Sequence, residues 1–194
     1  MSLQPDPPEQ PGWMEDVRRR LVRRARPEPL DETDLKRAAV LLPLFVRKGA
    51  LWILLTRRTE TVEHHRGQIS FPGGAEEPDD RSLLETAVRE SEEEIGLKRQ
   101  DAIPLGSLSP MKTVTSFYVE PFVAAIPQPY VFRPQESEIA EIIEAPLAAL
   151  ADPAILERKP YPGRPEPVLF YHYGRHTIWG ATARMLAELL EALK

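Results

Sequence analysis

Glu90, Glu93 and Glu94 stand at i, i+3 and i+4 in the run Arg89-Glu90-Ser91-Glu92-Glu93-Glu94. On a helix of 3.6 residues per turn these three carboxylates point the same way. Like charges at that spacing cost a helix roughly 0.2–0.5 kcal/mol per pair, a cost that is offset where something cationic meets them. Several carboxylate oxygens on one rigid face suit Mg²⁺, a hard ion often bound by one or two carboxylates together with substrate phosphates. Periodicity alone equally allows a solvated acidic face.

The elements around this trio decide whether it can be presented. Leu83, Leu84, Ala87, Val88, Ser91 and Ile95 form a mostly apolar stripe on the other side of the same stretch, so a helix over 81–95 can bury one face and leave its carboxylates free to converge. Gly96 suits the left-handed residue on which many helices end. Upstream, the short apolar run QISF (68–71) leads into Pro72-Gly73-Gly74, and two glycines allow a backbone to come close to whatever the carboxylates hold. Asp80, just before the helix, is placed to brace or cap its start, where acidic residues favour the helix dipole.

Composition narrows the classes. A chain of 194 residues suffices for one domain with a full core, and its 42% hydrophobic and 28% charged residues fit a globular protein. A net charge of −5 argues against nucleic-acid binding, which needs a basic footprint. The absence of cysteine excludes disulfides, thiolate metal sites and a cysteine nucleophile. With 4 histidines, of which only His64 and His65 are adjacent, a multi-histidine zinc site is disfavoured. No run reaches the ~18 apolar residues of a membrane span and no signal-peptide pattern opens the chain, so the expectation is a cytoplasmic protein without a membrane partner.

The proline-rich residues 1–11 read as an extended leader, and 12–25 as a basic amphipathic helix with Trp13, Met14, Val17 and Leu21 on its apolar side. Runs 38–47 and 50–57 read as a hairpin across Lys48-Gly49, with Pro43 suggesting an unpaired edge. Strands are expected over 102–109 and 113–126, the second with an edge or bulge at Pro121, while 138–144 fits strand or helix and a short helix follows Pro146. Proline clusters mark 127–134 and 158–167 as loops, 168–173 pairs with 176–179 across Gly174, and 180–193 closes as a helix with Ala183, Leu186, Leu190 and Leu193 on one face. Strands mixed with helices predict an α/β (α+β) domain with helices packed on a mixed sheet, here residues 36–194, preceded by a segment over 1–35.

Gly74, five residues, Asp80, eight residues, then Arg89-Glu90-x-x-Glu93-Glu94-x-Gly96-Leu97 resembles the Nudix box. Asp80 replaces the usual Glu, one extra residue precedes Arg89, and Ser91 occupies an aliphatic position. The first two departures resemble the coenzyme A pyrophosphatase branch, and so does LLTRRTETVEHHRGQISFPGG (54–74), where Leu54, Leu55, Thr56, Arg58, Gly67, Phe71, Pro72, Gly73 and Gly74 match that branch's upstream motif. Thr59 stands where Ser or Ala is expected, and Glu63 where Arg is expected, reversing a charge. Ile178-Trp179-Gly180-Ala181-Thr182-Ala183 is similar to the same branch, so the resemblance covers about residues 36–194.

The resemblance implies a Nudix fold, an α/β/α sandwich around a mixed sheet, with Mg²⁺ or Mn²⁺ as cofactor. It also implies cleavage of a diphosphate in a small-molecule substrate, foremost coenzyme A. Pyrophosphatases for ADP-ribose, NADH or dinucleoside polyphosphates are the alternative within the fold, and a non-catalytic nucleotide-binding module or an acidic interaction surface without a ligand are the alternatives from other functional classes. Glu90 and Glu94 are expected as main metal ligands, with Glu93 third and a backbone carbonyl of Gly73 or Gly74 completing the shell. Arg89 is expected to orient carboxylates. The general base is expected from Glu93 or from a later loop acid, Glu136, Glu138 or Glu141. Substrate-side positions are the cations Arg57, Arg58, His64, His65 and Arg66, together with Gly67, Phe71 and Gly73, Phe71 being more suited to the core than to stacking on a base. A homodimer is an open possibility, as is the role of the first helix.

Overall fold

A computed structural model describes residues 11–23, 33–60, 67–163 and 166–194. In chain order the elements are α1 (Gly12–Arg23), β1 (Lys36–Arg47), β2 (Ala50–Arg58), β3 (Ile69–Ser70), β4 (Gly73–Ala75), α2 (Leu83–Ile95), β5 (Ile103–Ser107), β6 (Met111–Lys112), β7 (Phe117–Ala125), β8 (Ile139–Pro146), α3 (Leu147–Leu150), β9 (Leu156–Lys159), β10 (Val168–Tyr173), β11 (His176–Trp179) and α4 (Gly180–Ala192). Of the leader expected over 1–11, residues 1–10 lie outside the described residues, as do residues 24 and 25 of the expected first helix and the segment holding Glu63, His64, His65 and Arg66.

The larger sheet is mixed. β1 runs parallel to β7 and antiparallel to β2 and β4, and β8 flanks β2 on the far side. Side chains alternate between its faces. From β1, Ala38, Leu42 and Leu44 enter one core layer, under α1, α3 and α4, while Ala39, Leu41 and Phe45 enter a second layer beneath α2. The arrangement is an α/β/α sandwich. Met14, Val17 and Leu21 of α1 are buried in the first layer, so this helix lies on the domain.

Two central strands carry a proline, and in each the missing N–H coincides with a change of partner. The ladder from β1 to β2 ends at Leu44↔Ile53, the ladder to β4 ends at Val40↔Gly73, and Pro43 falls in the gap, while on its other side β1 stays paired with β7 at Pro43↔Ala124. Pro121 of β7 likewise falls between the pairings to β5 and β6, Ser107↔Phe122 and Met111↔Val119. At Pro43 one flank is unpaired, as expected, but neither strand is an edge strand: a proline also fits a central strand where one flank is handed from one partner to the next. The parting of β1 from β2 has a second consequence, because the chain from β3 to β4 enters the split, β3 pairing with β2 and β4 with β1. This insertion brings Gly73 and Gly74 beneath α2.

Other boundaries moved. The run 113–126 begins as a strand only at Phe117, because Thr113–Ser116 form the turn that joins β6 to β7. The segment expected as strand or helix over 138–144 is a strand, β8, which starts at Ile139, after Glu138, and runs on to Pro146. The proline-rich 158–167 is not wholly loop, because β9 extends the smaller sheet beside β10; Leu-Glu-Arg-Lys has no apolar alternation to reveal it. α2 starts at Leu83 with Ser82 as N-cap, whose hydroxyl accepts the Glu85 N–H, a Ser-x-x-Glu signature present in the sequence.

Candidate active site

α2 delivers the acidic residues, and its C-terminal end is fastened. Its last carbonyls lack intrahelical partners, and the loop after β7 supplies them: the Arg133 N–H donates to Ile95 O at 2.9 Å and the Gln135 N–H to Glu94 O at 2.8 Å. Gly96 is left-handed at φ 70°, and a Cβ there would lie 3.0 Å from the Arg133 Cβ, so the close loop as well as the turn requires glycine. Ser91, the departure at an aliphatic position, is fully buried and donates its hydroxyl to Ala87 O at 2.7 Å, which removes the cost of an unpaired hydroxyl in the core.

Glu94 lies at the centre, its side chain 6% exposed. One carboxylate oxygen accepts Arg58 Nη1 at 3.1 Å and the other the Gly73 N–H at 3.2 Å. Burial pushes its carboxyl up to about 7, against the opposing pull of Arg58 and the Gly73 N–H, and Glu90 and Glu138 add repulsion. Burial also raises Glu90, with Arg89 opposing and Glu93 and Glu138 adding to the rise. A Cβ on Gly74 would sit 2.4 Å from the Glu90 carboxyl carbon. We therefore expect Gly74→Ala to displace Glu90 and lower turnover at least ~10-fold while the fold is kept, since a displacement of about 1 Å is costly in catalysis. Steady-state kinetics with circular dichroism checks this, and unchanged kcat and KM would remove the role given to this glycine.

Arg89 braces the group. Its Nε and Nη2 donate to the two oxygens of Asp80, both at 3.1 Å, Nη2 also reaches Ala75 O at 3.0 Å, and Nη1 reaches Glu90 at 3.0 Å and Glu93 at 3.1 Å. Asp80 further accepts the Thr86 hydroxyl and the Glu77 N–H, each at 2.9 Å. The bidentate bond to Arg89 and these donors hold its carboxyl down at about 2 in spite of burial. Asp80 thus lies behind the site as a brace, and Arg89, held by Asp80 and Ala75 O, fixes Glu90 and Glu93.

The cations expected to meet substrate separate. Arg58 faces the carboxylates, bridging Glu94 and Glu138. Arg57 shares the opposite face of β2 with Ile53 and Leu55 and pairs with Glu141 at 3.3 Å, where Arg175 at 2.7 Å and His176 at 3.4 Å join it. Arg57 is therefore corrected: strand alternation turns it away from the acidic cluster and makes it a tie between β2, β8 and the β10–β11 hairpin. Glu141 is drawn into the same tie and Glu136 is exposed, so of the three loop acids only Glu138 stands at the cluster. Phe71, 2% exposed, is core and offers no face to a substrate. Gly67 is left-handed at φ 63° just before β3. Gly73 sits so close to β1 that a Cβ would lie 2.3 Å from Ala39 O. Thr59, which departs from the upstream motif, ties the loop to β2: its N–H donates to Glu138 O at 2.7 Å and its hydroxyl to Ser137 O at 3.1 Å, contacts that no sequence pattern signals.

The oxygen-rich acidic set fits a hard divalent cation. Glu90, Glu93, Glu94 and Glu138 face the cluster and Asp80 backs it, five carboxylates against the two cations Arg58 and Arg89, a formal excess of three negative charges beside the glycine turn. Among the described residues no three acidic groups close into a finished cage, since both arginines stand between them.

Comparison with known proteins agrees with this geometry. Residues 35–162 match the NUDIX domain family. The chain is 37% identical over 172 residues to the uncharacterised Nudix hydrolase NudL of Photorhabdus laumondii, covering 87% of this chain and 91% of that one. It is 38% identical over 159 residues to the NudL of Pectobacterium atrosepticum, covering 79% and 81%. Solved structures share the fold: an Ap4A hydrolase of C. elegans superposes with TM-score 0.50 at 17% identity over 57% of this chain and 80% of that one. A MutT/nudix family protein of Enterococcus faecalis gives 0.50 at 15% identity over 88% and 64%. The chain belongs to the Nudix hydrolase family, enzymes that act on diphosphate anhydrides and generally use divalent metal ions. Among the described residues no helix is long and apolar enough to cross a membrane.

Proposed function

We propose that the protein is a Mg²⁺- or Mn²⁺-dependent pyrophosphohydrolase that cleaves the diphosphate of coenzyme A, or of its acyl or oxidised forms, to 3′,5′-ADP and 4′-phosphopantetheine or its derivative. The observation that carries the reaction is the desolvated pair Glu90 and Glu94 against Gly73-Gly74. The upstream run 54–74 carries the substrate.

A diphosphate resists hydrolysis because its anionic oxygens repel a nucleophile. A cation held by Glu90 and Glu94, with Glu93 and the carbonyl of Gly73 or Gly74, would neutralise that charge. The chain's own groups do the rest. Arg89 holds Glu90 and Glu93 in register, the Gly73 N–H and Arg58 hold Glu94, and Glu138 accepts the proton of the attacking water. His64, His65 and Arg66, preceding Gly67, are the remaining cations for the substrate's phosphates, since Arg57 faces away and Arg58 is paired with acids.

The charge reversal at Glu63 favours one second reading in the same fold, a pyrophosphatase for ADP-ribose, NADH or dinucleoside polyphosphates. Incubation with Mg²⁺ and a panel of coenzyme A, ADP-ribose, NADH and diadenosine polyphosphates, with products identified by mass, decides between them. Coenzyme A is expected to give 3′,5′-ADP. Intact coenzyme A beside a cut competitor would replace the substrate, and no cation-dependent cleavage of any compound would end the hydrolase reading.

A further inference from the structure

The residue Arg58 sits in the stretch that suggests substrate recognition, yet its guanidinium is spent on protein carboxylates. Nη1 donates to Glu94 on α2 and Nη2 to Glu138 in the turn just before β8, both at 3.1 Å. Its side chain is 22% exposed and that of Glu138 46%, so the fork lies under an outer carboxylate that solvent still reaches. The backbone around it is built for the same purpose. Beyond Arg57 the register between β2 and β8 shifts, Arg57 pairing with Glu141 and Arg58 with Ile139. Thr59 then takes Glu138 O and Ser137 O. The other end of the loop is tied to α2 through Gln135 and Arg133, and the Glu138 and Ile139 N–H groups both donate to Gln135 O at 2.8 Å. Glu138 is thereby held across from Glu90 and Glu94 by one loop fastened at both ends and one guanidinium bridge.

From this geometry we infer that Arg58 is a positioning residue, not a substrate contact: it aims Glu138, and through Glu138 it sets the rate. This rests on the hydrolase reading above, with Glu138 as base. A planar fork suits two carboxylates on different elements, which an ammonium cannot bridge with the same geometry. Each Glu94 oxygen accepts one donor here and keeps a further lone pair for a cation, so the bridge and cation binding are compatible.

The test uses Arg58→Ala, Arg58→Lys, Glu138→Ala and the double variant Arg58→Ala with Glu138→Ala, assayed with Mg²⁺ on whichever diphosphate the wild type cuts. Arg58→Ala is expected to lower kcat ~10²-fold with KM within about threefold, the size of effect a displaced general base gives. Arg58→Lys is expected to recover only part of that loss. The double variant should be slower than Glu138→Ala by no more than about threefold, because aiming Glu138 is the larger part of the role and Glu94 keeps the Gly73 N–H when Arg58 is gone. A tenfold rise in KM with kcat retained, or losses that multiply in the double variant, would overturn the inference in favour of a substrate-anion contact. Amide hydrogen exchange gives a readout independent of activity. In Arg58→Ala the amides of Glu138 and Ile139 are expected to exchange faster than in wild type, and unchanged exchange there would also overturn it. Failure of the wild type on every compound, with exchange altered as expected, would instead count against the hydrolase reading. Should Arg58→Ala not fold, Arg58→Lys and Glu138→Ala carry both measurements.

Discussion

Glu94→Gln is expected to remove hydrolysis almost completely and at the same time to make the cation-free protein more stable at pH 8. The two effects have one cause. Glu94 is a buried carboxylate beside Glu90 and Glu138, and burial pushes its carboxyl up to about 7 from the ordinary 4.5. For an acid whose folded value is raised, the folded state holds the proton longer than the unfolded chain. Stability is then untouched below about 4.5, falls between about 4.5 and 7, and stays reduced above that. The difference corresponds to a penalty on the order of 3 kcal/mol at pH 8. Gln keeps the shape and carries no charge; its one amide oxygen serves the Gly73 N–H while its NH2 faces Arg58 donor to donor, so it lifts most of the penalty and forfeits the ligand. Chemical denaturation at pH 8 with chelator is expected to show a gain of about 1–3 kcal/mol that vanishes near pH 4.5. Turnover with Mg²⁺ is expected to fall by at least ~10³-fold, since a main ligand of the charge-neutralising cation is gone. Activity within about threefold of wild type would remove Glu94 from the metal assignment. A loss of stability at pH 8 would mean that its charge is better compensated than its burial indicates.

Periodicity was enough to place three carboxylates on one helix face, but not to divide their labour. Glu90 and Glu94 turn toward the glycine turn and are desolvated, whereas Glu93 remains 59% exposed on Arg89. That division depends on the rotation of α2 against β1 and β4, which no local pattern encodes. The sandwich and its main strands were legible because helical and strand periods differ. The split between β1 and β2 was not, since Pro43 signals a missing donor without saying which neighbour arrives in its place. Arg57 and Arg58 show the limit most plainly. As adjacent cations they read as one substrate-binding set, and strand alternation sends them to opposite faces of the sheet. Charge is visible in a sequence, but the partner that neutralises it lies elsewhere in the chain: Glu141 for Arg57, Glu94 and Glu138 for Arg58.

Arg89→Met is expected to be the most destabilising of the site substitutions, by about 3–5 kcal/mol at pH 7, because it removes one partner of a buried ion pair and leaves the other behind. Asp80 is 4% exposed at its side chain and gives both oxygens to Arg89, which is 10% exposed. Thr86 and the Glu77 N–H remain to the orphaned carboxylate as donors, but among the described residues no cation does. Glu90 and Glu93 lose their shared counterion at the same stroke. Asp80→Asn is the milder change, since an amide oxygen can still accept one Arg89 donor and the fork keeps Glu90, Glu93 and Ala75 O. The acid limb distinguishes the two variants. Arg89 and the other donors depress the Asp80 carboxyl from 3.8 to about 2. A depressed acid contributes stability that is fully present above its unfolded value, about 4, and is lost as pH falls through about 2. The contribution is on the order of 2 kcal/mol, counted once, since the upward shift of Arg89 reports the same bond. The stability difference between wild type and Asp80→Asn is therefore expected to be constant from pH 7 to about 4 and to narrow between about 4 and 2, followed by urea unfolding at each pH. Arg89→Met within 1 kcal/mol of wild type at pH 7 would show that the brace holds geometry alone, and the loss of activity in such a variant would then measure the orientation of Glu90 and Glu93 without any contribution from unfolding.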